Sequence, residues 1–286
     1  MLTGKVIDSF YAFITKVIIN LLLLNGWTGI INDLSINRVS WYMSTVVLCV
    51  LLTPLIVLHL QRITVKTAKE ILILLLFLKP ILSIGIECIV SIYHLYWINA
   101  NWMLYTFPPI RVIDFAMGCI LGKIYLGTIL DTRNRNTNSK SWKKLCLSIT
   151  SIVIANYICI WGNANVSGYG DVSRIMQALL YPLPTCWLIW CFATYDYKSN
   201  IVLSKIIYNS VVLRLGKLTA YMYLIHNVVF EYLGRILWRL LGKEGYIEHR
   251  VVLNCTLGFA LTVLLALIYH TIIIKLKKYR VFYVNR

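Results

Sequence analysis

The chain has 286 residues, 59% hydrophobic and 14% charged, with a mean hydropathy of +0.73. Soluble domains carry about 25% charged residues, so this composition excludes a soluble globular protein and describes an integral membrane one. Lys and Arg number 28 against 11 Asp and Glu, a formal charge of +17, but the basic residues fall in short runs between apolar stretches. Such runs set membrane topology and attract anionic lipid, and they do not form a nucleic-acid-binding patch.

Eight apolar stretches follow one another, each near the length of about 20 residues that crosses a bilayer core. No cleavable signal pattern precedes the first of them. It covers approximately 11–30, follows Lys5, and is interrupted by Lys16 and Asn20. The second, 39–60, is followed by Arg62, Lys66 and Lys69. The third, 70–94, sets Lys79 beside Pro80 in "FLKPIL", with Glu87 eight residues on and on roughly the same helical face. The fourth, 107–130, carries Arg111 and Asp114 one turn apart, a spacing at which opposite charges pair. After it come Arg133, Arg135, Lys140, Lys143 and Lys144, then a fifth stretch over 144–162.

The sixth stretch, 174–195, contains Pro182 and Pro184 and leads to Lys198, Lys205, Arg214 and Lys217. In the seventh, 218–240, Glu231 precedes Arg235 by four, the favoured orientation for a structural helical pair. The eighth, 250–274, runs into Lys275, Lys277, Lys278 and Arg280. Basic residues thus cluster at every second connection, which places both termini and segment 131–143 in the cytoplasm and 163–173 outside. The expected fold is all-α: a multi-pass helical bundle with about eight transmembrane helices, one domain over 1–286, lacking linkers or a soluble domain.

The expected outward ends are rich in Trp and Tyr: Trp27, Trp41, Tyr42, Tyr93, Tyr96, Trp97, Trp102, Tyr105 and Trp161. They read mainly as an interfacial belt, although aromatic rings also stack on sugars. The eight cysteines lie inside the apolar stretches with no CxxC spacing, and read as small packing residues; no metal site is expected.

A charged side chain at mid-bilayer costs at least about 2.5–3.5 kcal/mol, so each needs a partner or a watery cavity. His226, eight residues past Leu218, lies about 12 Å into its span. Two readings stand for it. One is a neutral imidazole bonded to a neighbouring helix; the other is a ring lining a polar cavity that holds or deprotonates a substrate hydroxyl. Tyr223, one turn earlier, either shares that cavity or bonds to backbone.

Three segments resemble the acyltransferase 3 family of membrane proteins. "LGKLTAYMYLIHNVV" (215–229) is similar to its late-helix signature, with Gly216, Lys217, Thr219, Tyr223, Leu224 and His226 at matching positions. "NRVSWYMSTVVLCVLLTPLI" (37–56) resembles its Ser-Trp-Tyr-Leu-Ser helix start, through Ser40, Trp41, Tyr42, Ser44 and Pro54. "FPPIRVIDFAMGCILG" (107–122) resembles the segment with an Arg and an acidic residue ahead of Phe and a Gly-x-x-x-Gly. Val46 and Val50 depart from the Glu and Tyr that many members carry.

The resemblance implies a membrane-bound acyltransferase. It would move an acyl group, usually acetyl, from acyl-CoA to a hydroxyl of an extracytoplasmic polysaccharide or glycolipid. Acetyl-CoA would be a co-substrate, with no bound cofactor, and the location would be the bacterial cytoplasmic membrane. It implies a substrate pocket drawn from Ser40, Trp41, Tyr42, Arg111, Asp114, Thr219, Tyr223 and His226. The family's first helix, with its Arg and catalytic His, and an Arg-rich motif after the second have no counterpart before Phe10. The chain alone is therefore expected not to transfer acyl groups unless His226 supplies the base. A flippase or transporter of a lipid-linked glycan, and a non-catalytic membrane partner, are the competing classes.

Overall fold

A computed structural model of the chain describes residues 2–28, 37–93, 100–132, 141–165, 180–194, 205 and 208–284. Every regular element among them is helical: α1 (Leu2–Leu21), a 3₁₀ turn (Arg38–Ser40), α2 (Trp41–Arg62), α3 (Val65–Ile92), α4 (Ala100–Tyr105), α5 (Pro108–Thr132), α6 (Ser141–Asn165), α7 (Pro182–Thr194), α8 (Ser210–Leu253), a π-helical segment (Asn254–Gly258) and α9 (Phe259–Val284). The expected outer loop over 166–173, the outer aromatics Tyr96 and Trp97, and the basic residues Arg133, Arg135, Lys140 and Lys198 lie outside the described residues.

Four helical segments are long and apolar enough to cross a membrane: Trp41–Arg62, Val65–Val90, Lys143–Trp161 and Asn254–Leu276. Within each, at most 22% of the most apolar stretch is buried inside the protein, and in the second only 11%. Val50, Leu51 and Leu55 on α2, Leu74 and Phe77 on α3 and Ile160 on α6 all project outward and are more than 60% exposed. In water such continuous apolar surface would drive aggregation; in lipid it is the solvated face. The protein is an all-helical membrane protein.

Several hydroxyls bond to carbonyls of their own helices, as hydrocarbon favours. Thr53 and Ser83 each donate to the carbonyl four residues back, on Cys49 and Lys79. The Thr64 hydroxyl caps α3 by accepting from the Thr67 amide at 3.1 Å.

The chain divides into two compact units. The first comprises residues 1–35 and 41–199. In it α2 and α3 pack on α5, and α6 packs on α7. Its apolar centre is Leu60, Ala68, Ile120 and Ile124, with Ile71, Leu75 and Trp190 against them. α3 approaches α5 closely at Gly127, where an added Cβ would lie 2.4 Å from Val65 Cγ2. The second unit comprises 36–40 and 200–286, where α8 packs on the π-helical segment and α9. The Gly258 backbone there lies against the Phe230 ring, 2.5 Å from where a Cβ would stand.

Three expectations change in detail. The first helix is Leu2–Leu21, not 11–30. The apolar "LLLLNGW" turns instead of continuing, because Asn25 donates back to Asn20 at 2.8 Å and the Gly26 amide donates to Ser44 of α2 at 3.1 Å. The expected 218–240 span belongs to a longer helix broken at Gly242, whose φ of 74° suits glycine alone. The short α4 was not anticipated.

Candidate functional site

The polar centre of the first unit is Asp114, on the second turn of α5. Pro108 and Pro109 open that helix, where missing amide donors cost nothing. Asp114 Oδ2 accepts from Arg111 Nη1 at 3.0 Å, and Oδ1 accepts from Lys79 Nζ of α3. Only 8% of the Lys79 side chain is exposed, against 22% for Arg111 and 33% for Asp114. Two cations therefore share one carboxylate, and both of its oxygens are engaged.

Arg111 is held on its other side as well. Its Nε donates to the Tyr105 carbonyl at 2.6 Å, and its guanidinium lies 4.8 Å from the Tyr105 ring and 5.9 Å from the Trp41 ring. Trp41 and Tyr105 pack with centroids 5.1 Å apart. Nearby, Trp27 and Trp102 flank Phe107 at 5.7 and 5.1 Å, and Trp102 Nε1 donates to the Gly26 carbonyl at 2.9 Å. These aromatics thus form a packed cluster around the start of α5 and are more than separate interfacial anchors.

A cavity of about 230 Å³ opens against the charged cluster. Lys79, Arg111 and Asp114 line one side, Tyr181, Thr185 and Cys186 another, with Met117 and Ile189 supplying apolar wall. The Tyr181 hydroxyl donates to Asn156 Oδ1 at 2.5 Å. Sequence spacing had set Lys79 and Glu87 on one face of α3; the structure pairs Lys79 with Asp114 of α5. Glu87 Oε2 is buried with no hydrogen-bond partner among the described residues.

In the second unit, His226 Nδ1 lies 2.6 Å from the Tyr223 carbonyl of its own helix. With that nitrogen donating, Nε2 of a neutral ring is left as an acceptor. The ring packs 5.5 Å from Tyr223 and 5.8 Å from Phe230. The Thr219 hydroxyl donates to Gly216, and Ser40 donates to the Asn37 carbonyl at 2.6 Å, while Asn37 itself donates to the Leu224 carbonyl at 2.8 Å. Glu231 and Arg235 form their expected pair at 2.6 Å, both well exposed.

Of the residues expected at a substrate pocket, Trp41, Arg111 and Asp114 come together. Tyr42 lies edge-on to Trp41 and is 40% exposed. Ser40, Thr219, Tyr223 and His226 belong to the second unit. Lys79, Tyr181, Thr185 and Cys186 were not on that expected list. Their only sequence signals are a lysine inside an apolar run and the "YPLPTC" helix start. All eight cysteines are free thiols, and no group of three His, Cys, Asp or Glu able to hold a metal occurs among the described residues. Compared with models of protein families, with curated proteins and with solved structures, the chain matches none.

Proposed function

We propose that the chain works in membrane acyl transfer, moving an acetyl or other acyl group from acyl-CoA to a hydroxyl of an exported or surface glycan. The observation that supports this reading most is a convergence. Trp41, from one segment that resembles the acyltransferase 3 family, lies against Arg111 from another, beside a cavity lined by buried charge. The two segments are 70 residues apart in sequence, and nothing in either alone requires them to meet.

The chemistry suits the residues. Acyl transfer to a hydroxyl builds negative charge on the carbonyl oxygen, and fixed cations in a dry site stabilise it. Lys79 and Arg111 are such cations, oriented by Asp114. His226 belongs to the second unit and is a separate candidate for a base, taken by itself: its Nδ1 is tied to backbone, which leaves Nε2 to take a proton from a hydroxyl. In this reading the helices cross the bacterial cytoplasmic membrane eight times with both ends inside, and the basic inner loops attract the phosphates of acetyl-CoA.

The test is labelled acetyl transfer from acetyl-CoA to glycan in reconstituted vesicles. It is run with the chain alone and with the first two helices of an acyltransferase 3 relative supplied in trans. Label on the glycan in either arm, lost on Arg111→Gln, is the expected result. Unlabelled glycan in both arms, together with movement of unmodified glycan across the bilayer, would replace this reading with transport.

A further inference from the structure

We infer that the cavity beside Lys79, Arg111 and Asp114 binds a carboxylate group, so that the ligand of this site is an acidic one. The argument is charge arithmetic in a place where charge is costly. Lys79 and Arg111 bring two positive charges and Asp114 one negative, leaving an excess of one. Asp114 already divides its single charge between the two cations, Oδ1 serving Lys79 and Oδ2 serving Arg111. Lys79 carries three donors, and its one hydrogen bond among the described residues goes to Asp114. A nearly buried ammonium in this state is short of full counter-charge. What remains beside it is the cavity, so its occupant is where the balancing charge belongs.

The other walls narrow the class. Thr185 adds a hydroxyl and Tyr181 a phenol, while Met117 and Ile189 are apolar, which fits a small polar body with one charged end. At about 230 Å³ the cavity is smaller than the roughly 300–1,000 Å³ of sites that enclose a whole drug-sized ligand. A terminal group enters such a space from one side. A carboxylate ends its molecule, whereas a lipid phosphodiester carries a substituent on each side. If the acyl-transfer reading above holds, the glycan acceptor is an acidic sugar; the carboxylate site itself does not depend on that reading.

The experiment uses the full chain in phosphatidylcholine nanodiscs, where no anionic lipid competes, and no acyl donor is present. Sodium glucuronate is expected to raise the thermal midpoint saturably, with no effect from glucose or from sodium chloride at matched ionic strength. Lys79→Met removes the excess charge but keeps the Arg111–Asp114 pair, and should weaken glucuronate binding at least tenfold. A second readout needs no variant: glucuronate should slow methanethiosulfonate labelling of Cys186 several-fold, and glucose should not. A wild-type midpoint indifferent to glucuronate would overturn the proposal. So would an equal response to inorganic phosphate or chloride, or undiminished binding by Lys79→Met. Binding without acyl transfer would sink the functional reading and keep this one; transfer without glucuronate binding would do the reverse.

Discussion

At the scale of single residues, Asp114 is the hub on which two cations depend. Asp114→Asn leaves Lys79 and Arg111 side by side without a counter-charge. Breaking a buried pair costs about 3–5 kcal/mol, and because a third of the Asp114 side chain is exposed, the lower end of that range is expected. Lys79→Met leaves one intact pair and should cost far less. Thermal unfolding of both variants decides this: equal losses would show that the cluster is not organised around Asp114. Saturating glucuronate should restore part of the Asp114→Asn midpoint, since the ligand supplies the charge that the substitution removed. The Arg111–Asp114 pair was legible because its partners sit three apart on one helix. The Lys79–Asp114 pair was not, because 35 residues separate them and only the packing of α3 on α5 brings them together.

His226 can be tested at the same scale. A packing ring and a working ring lose different things when changed to phenylalanine, which keeps the contacts to Tyr223 and Phe230 but abolishes Nε2. In a transfer-competent preparation, His226→Phe should lower the acetyl-transfer rate by about 10²–10⁴ with little change in protein level. Proportional falls in rate and abundance would make it a packing residue. The sequence indicated where His226 lies along its helix but not its bond to the Tyr223 carbonyl, since a ring three residues after a carbonyl has several other rotamers available.

Helices meet at glycines here, and these contacts give predictions at the scale of elements. Gly258→Ala would drive a Cβ into the Phe230 ring, a fixed aromatic edge, and should cost about 1–3 kcal/mol as an overpacked contact. Because Phe230 also packs on His226, transfer should fall along with stability, and Phe230→Leu in the same chain should recover part of both. An additive double variant would show that the two positions do not touch. At Gly127 the obstacle is one methyl of Val65, so Gly127→Ala is expected to be rescued by Val65→Ala. Long apolar runs made α2, α3, α6 and α9 legible in the sequence. What the pattern did not reveal were the ends set by tertiary bonds, such as the Asn25–Gly26 turn stitched to Ser44, and the break at Gly242, where a glycine in an apolar run carries no sign of its φ.

For the whole molecule, the basic runs predict one topology: both ends and the 131–143 segment inside. In a background lacking the native cysteines, Ser139→Cys should react with an impermeant thiol reagent only after the membrane is opened. Labelling in sealed cells would reverse the arrangement. Under the proposed function this topology would separate the acyl donor from its acceptor, and the most direct measurement of the account uses that separation. Sealed vesicles carrying the transfer-competent protein, its cytoplasmic face outward, would be given labelled acetyl-CoA outside and an acidic glycan inside. The prediction is label on the enclosed glycan, absent when acetyl-CoA is placed with the glycan and lost in Arg111→Gln. Glycan that leaves the vesicles unmodified, or label that never crosses, would contradict it.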